Sequence, residues 1–174
     1  MRIDEYRYRC GECEEEHVGL PELGFRLPDV CAEIPEDERG ERVRSGSDFC
    51  VLDDEHHFVR AVMPIPLLDD EGGKVDDEYC WGVWTSLSET NYDRYRELFD
   101  EDPPDGEGPY FGWLSNRVPG YPFDDSLALN VHLRSEGQRP RLELQPSSHP
   151  LAMHQRYGMK LSELLEHLGP FLHQ

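Results

Sequence analysis

With 174 residues the chain is long enough to bury one sizeable core and too short to suggest two domains. Its 37 Asp and Glu against 17 Lys and Arg give a formal net charge of −20. Such a field argues against phosphate backbones and anionic membranes as direct ligands and leaves room for basic protein partners, although adaptation to salt, or the habit of a proteome, is the simpler account of it.

The charged opening MRIDEYRYRC lacks the apolar core of a secretory signal. In chain order, YRYRC (6–10) alternates as a strand and leads into a cysteine pair. PEDERGERVR (35–44) starts with a proline suited to a first helical turn. DFCVLD (48–53) and HFVRAVMPIP (57–66) flank the polar turn Asp54-Glu55-His56 and predict a hairpin. The longest apolar run, FVRAVMPIPLL, is broken by Arg60, Pro64 and Pro66 and is too short to span a bilayer. A cytoplasmic protein with reduced cysteines is therefore expected.

The acidic stretch 69–78 reads as a loop. YCWGVWTSL (79–87) then alternates, placing Trp81, Val83, Thr85 and Leu87 on one face. Its tryptophans are expected in the core, with Gly82 marking a bulge or a close backbone approach. SETNYDRYRELF (88–99) sets Tyr92, Tyr95, Leu98 and Phe99 on one helical stripe, and Ser86 with Glu89 has capping-box spacing. A second acidic loop (100–109) precedes the strand-like YFGWLS (110–115), LALNVHL (127–133) and RLELQ (141–145). HPLAMHQRYG predicts a helix capped by His149, begun by Pro150 and closed at Gly158. LSELLEHL (161–168) has leucines at helical spacing, and Gly169-Pro170 is expected to end it. Together these predict one α+β domain over 1–174: a mainly antiparallel sheet with helices on one face, a knuckle-like segment at 6–20 and C-terminal helices over about 148–172.

Chemistry concentrates in CGECEEEH (10–17). Cys10 and Cys13 have the spacing that lets two thiolates reach one tetrahedral Zn²⁺ from a tight turn, and His17 follows four residues on. Cys50, held in an apolar strand, is the best fourth ligand. Cys31 competes with it, and Cys80 beside Trp81 resembles a buried small hydrophobe. Two other readings stand beside zinc: incidental thiols, and a redox pair. The redox reading lacks a βαβ context, and Glu12, Glu14, Glu15 and Glu16 around the thiols disfavour it.

Arg60, interrupting an apolar strand, needs an inward acceptor, and Asp48 is a plausible one. His56 and His57 sit at the hairpin tip, where histidines are ordinarily solvated. His149 and His154, five apart, do not share a helical face, while His132, His167 and His173 carry no motif. Phosphate-loop, dinucleotide-fold, nucleophile-elbow, zinc-protease and EF-hand patterns are all absent.

The succession CGECEEEH, GFRLPD, SDFCVLD, HFVRAVMPIP, WGVWTSLSETNYDRY, GWLS and RPRLELQPSSHPLAMHQRYGM resembles a bacterial family, the domain of unknown function 2199, through nearly the whole chain. The resemblance implies a fold and a candidate metal site and no activity. It favours Cys50 over Cys31, and it implies a glycine in the knuckle turn where this chain has Glu14. The reading that follows is a zinc-stabilised binding or adaptor module. Its rivals are an enzyme, possibly hydrolytic, built around Asp48, Arg60 and histidines, and an acidic decoy of nucleic acid for a basic protein.

Overall fold

A computed structural model describes residues 2–10, 13–123 and 126–172. The elements in chain order are β1 (Arg7–Arg9), β2 (Glu16–Val18), α1 (Asp29–Ala32), α2 (Glu36–Arg42), β3 (Val43–Ser45), β4 (Phe49–Leu52), β5 (His56–Leu68) and β6 (Lys74–Leu87). They continue with α3 (Glu89–Leu98), β7 (Tyr110–Trp113), β8 (Ala128–His132), β9 (Arg141–Leu144), α4 (Pro150–Tyr157), β10 (Met159–Lys160) and α5 (Leu161–Leu172). The fold is α+β, with mostly antiparallel strands, as the order of elements predicts. β5 pairs in parallel with β9 and with β10.

The chain divides into two compact units, to both of which β5 and β6 contribute. One unit comprises Met1–Leu23, Pro64–Cys80 and Pro146–Gln174. In it β1 and β2 form a two-stranded ribbon, and β10 pairs with the end of β5 at Leu67 and Leu68. Tyr79 is fully buried, donating its hydroxyl to the Pro21 carbonyl (2.8 Å) and accepting from the Leu23 amide (2.9 Å). Gly158 closes α4 at a φ of 93°, where a side chain would be strained and a Cβ would press on Leu68.

The other unit comprises Gly24–Met63 and Trp81–Gln145. Its strands lie in the order β3-β4-β5-β9-β8-β7, with β6 also paired to β5. The β4–β5 hairpin is present, turning through Asp53 and Asp54, both in the left-handed region. A core of Cys31, Ile34, Cys50, Leu52, Phe58 and Trp84 sits beneath it. Trp81 and Trp84 are both buried, and Gly82 receives the Gly24 backbone so closely that a Cβ on Gly24 would lie 3.2 Å from the Gly82 carbonyl oxygen.

Trp84 is fixed by polar bonds as well as by packing. Its indole N–H donates to the Phe25 carbonyl (3.0 Å) and its amide to Asn116 Oδ1 (2.7 Å). The Asn116 amide group donates in turn to the Leu27 carbonyl and to Asp29 Oδ1, each at 2.9 Å. One buried asparagine thus ties the α1 entry to the last residues of β6, at Trp84.

Three local expectations change. β6 starts at Lys74, so half of the acidic stretch 69–78 is strand. The turn before it is closed by Asp69, which accepts from the Glu71 and Gly73 amides. The cap of α3 is Ser88, which accepts from the Asn91 amide, while Ser86 serves the Trp113 amide. α5 continues through Pro170 to Leu172. Leu172 extends the buried stripe of Leu164 and Leu168 by one further turn, and a proline this near a helix end disrupts little of the backbone ladder.

Candidate metal centre

The ribbon β1–β2 is short and mostly exposed, and its register decides what its loop can do. Tyr8 lies opposite His17, and their rings stack at 5.4 Å with planes 21° apart. The loop is closed by the Cys10 amide donating to the Glu15 carbonyl (2.9 Å) and the Glu14 amide donating to the Cys10 carbonyl (3.0 Å). Glu14 takes a φ of 58°, the left-handed conformation that glycine adopts most freely. The turn that the resemblance associates with glycine is therefore made here by a glutamate. Gly11 and Glu12 lie outside the described residues.

This geometry gathers the ligand atoms of Cys10, Cys13 and His17 within 4.8 Å of one another, with Cys13 Sγ 3.1 Å from His17 Nε2. Two thiols and an imidazole at that separation can hold a metal ion. Cys10 is half-buried and Cys13 is exposed. The surrounding charge is mixed: Arg7 pairs with Glu16 (3.5 Å), and Arg9 donates to the Glu14 carbonyl (3.1 Å).

The structure does not bring Cys50 into that group. Cys50 belongs to the other unit, fully buried in the core cluster, with its sulfur 3.7 Å from that of Cys31. The hydrogen bond with Cys31, and then burial, hold its thiol far above the ordinary range. Cys31 is correspondingly lowered, chiefly by the same bond. Cys80 is half-buried in β6, near Glu78.

Asp48 and Arg60 do not form the expected ion pair. Asp48 Oδ1 accepts from Arg139 Nε at 2.9 Å, and Arg60 donates to the carbonyls of Phe25 (2.6 Å) and Ser47 (3.3 Å) while lying over the Trp84 ring. Carbonyl acceptors and an aromatic face satisfy the guanidinium where a carboxylate was expected. Arg139 is distant in sequence from Asp48, so no local pattern announces the pair.

The histidines are dispersed. His56 is exposed at the hairpin end, whereas His57 is buried with its ring 4.8 Å from that of Tyr92. His132 sits 3.4 Å from Glu143. His149 caps α4 as expected, its Nδ1 accepting from the Leu151 amide. The His154 and His167 rings lie 6.3 Å apart, and His173 is outside the described residues.

Sequence reasoning overlooks two features. One is Asn116; the other is the exposed pair Phe111 and Trp113. Alternation in YFGWLS signals two faces of a strand, but only the assembled sheet tells which face is inward. Among the described residues, no helix is long and apolar enough to cross a membrane.

Comparison with curated proteins and with solved structures returns no match. The family model described as "Uncharacterized protein conserved in bacteria (DUF2199)" matches residues 9–159, and the chain belongs to that family.

Proposed function

We propose that the chain is a zinc-stapled binding module whose ion is held by Cys10, Cys13 and His17. The observation that carries this reading is the convergence of the three donors within 4.8 Å. With Zn–S near 2.3 Å and Zn–N near 2.0–2.1 Å, a tetrahedral ion needs its donors about 3.6–3.8 Å apart, which small side-chain rotations supply here. A two-stranded ribbon is marginal by itself, and β1–β2 is three residues a side with little buried. A metal tie is what such a segment lacks. When bound, the ion supplies folding free energy to this segment.

The rival enzyme reading draws no support from Asp48 and Arg60, each occupied by partners that suit an architectural role. Cys50, packed against Cys31, serves the core of its own unit, so the ligand set carried forward has three residues.

Metal analysis of the purified full chain tests the proposal. About one zinc per chain is expected, as for a single tetrahedral site. Cobalt in its place should give thiolate charge-transfer absorption. Cys13→Ser and His17→Ala should lose the ion, and Cys50→Ser should keep it. A metal-free protein whose proteolysis near residue 10 is indifferent to added zinc would remove the idea.

A further inference from the structure

The second unit carries a groove of about 580 Å³, bounded by α1, the β4–β5 turn, the end of β6, the start of α3 and β7. Its apolar wall is formed by Val30, Leu52, Phe58, Leu87, Phe111 and Trp113. Leu52, Phe58 and Leu87 are buried and form the floor, while Phe111 and Trp113 stand 49% and 45% exposed, ring against edge at 5.3 Å. Two large aromatics standing open beside an apolar floor are what an interface uses as its anchor.

The aromatic pair is held stiffly. Tyr110 and Gly112 point inward on β7, which sends Phe111 and Trp113 outward. Gly112 lies so close to Thr85 and Ser86 that a Cβ there would fall 2.5 Å from Thr85 Oγ1. The Trp113 amide donates to Ser86 Oγ (3.1 Å) and the Ser115 amide to the Trp84 carbonyl (2.9 Å), locking β7 against β6. Such preorganisation lowers the entropy lost on binding.

Charge selects the occupant. Glu55 and Glu89 line the groove, no lysine or arginine does among the described residues, and the whole chain carries −20. We propose that this groove docks a short segment of a basic partner protein, one that places an apolar side chain beside a lysine or arginine. The apolar group enters over Leu52 and Leu87. The cation lies against the Trp113 face, within reach of the Glu55 and Glu89 carboxylates. The inference rests on reading the chain as a binding module, and every residue it uses lies outside the metal-bearing unit, so the metal assay and the docking assay fail separately.

The test uses the full chain and a short synthetic peptide of alternating lysine and leucine, titrated at physiological ionic strength. Trp81 and Trp84 are buried, so a change in tryptophan emission or in acrylamide quenching reports on Trp113. Saturable binding of one peptide per chain is expected. Trp113→Ser should weaken it about tenfold or more, the loss typical of a central aromatic anchor. Phe111→Ser should act in the same direction, followed by calorimetry. Joint Glu55→Gln and Glu89→Gln should flatten its salt dependence. Equal binding of a glutamate–leucine peptide, or affinity unmoved by both aromatic variants, would overturn the proposal. So would a small aromatic amine that fills the groove as tightly as the peptide, which would make it a small-ligand site.

Discussion

Asn116→Ala should be among the most damaging single polar changes in the second unit. The side chain is buried and makes three bonds: it accepts from the Trp84 amide at 2.7 Å and donates to the Leu27 carbonyl and Asp29 Oδ1 at 2.9 Å each. Truncation leaves the Trp84 N–H without a partner beside a ring that is itself fully buried, where water has no ready access. An orphaned buried group costs about 1–3 kcal/mol. The Leu27 carbonyl is nearer solvent and should cost less, so the total comes to about 2–4 kcal/mol. For a chain of this size a loss of about 3 kcal/mol lowers Tm by about 6–12 °C. Urea unfolding followed by tryptophan fluorescence measures it, with an unchanged m-value showing that the native core is otherwise intact. Asn116→Asp supplies an internal check. It keeps the acceptor for Trp84 but sets a second carboxylate against Asp29, so the folded-state pKa of the new group should be raised and its penalty should shrink as pH falls. An Asn116→Ala protein that unfolds at the parent urea concentration would show that the clamp is incidental and that packing alone holds Trp84.

Gly112→Ala should cost about 1–3 kcal/mol by overpacking, because the added Cβ meets Ser86 and Thr85 on a strand that cannot retreat. Gly40→Ala, inside α2 with nothing near its missing Cβ, should instead raise stability by about 0.5–1 kcal/mol, as paired melts will show. Burial lowers the pKa of His154, with Glu163 opposing and His167 reinforcing the shift. A depressed histidine pKa means that the unfolded chain takes up the proton first. This part of the stability should be complete above about pH 6.5 and should decline as pH falls below it. His154→Gln should flatten that decline in urea midpoints compared across the window, and an identical slope in parent and variant would refute the assignment.

Much of the secondary structure is readable in the sequence because the signals are local. Pro150 and Gly158 bracket α4, His149 caps it, and the alternation read in 79–87 puts Trp81, Val83, Thr85 and Leu87 inside. Boundaries slip where tertiary burial overrides punctuation. α5 runs past Gly169-Pro170 because Leu172 still has a buried place to fill. Lys74 through Glu78, polar enough to read as loop, become the first part of a strand that pairs with β5. The order β5-β9-β8-β7, with its parallel step at Val62 and Arg141, has no local signature at all.

The same division explains which parts of the site can be read. Cys10, Cys13 and His17 span eight residues, and one turn of a short ribbon is enough to bring their donors together. The expected fourth ligand, Cys50, lies 33 positions beyond His17, and over such a separation composition gives no address. Cys50 and Cys31 are chemically suited to zinc, yet their burial beside Ile34, Leu52 and Phe58 gives each a packing partner in the other. Arg60 follows the same logic, since a half-buried guanidinium demands acceptors without specifying whether they are carboxylate or carbonyl. Asn116 is the extreme case. Its partners lie 32, 87 and 89 positions away, so nothing around it in the chain marks it as the residue that fixes Trp84. A polar side chain whose whole significance is non-local becomes visible only when the donors and acceptors of the folded core are counted one by one.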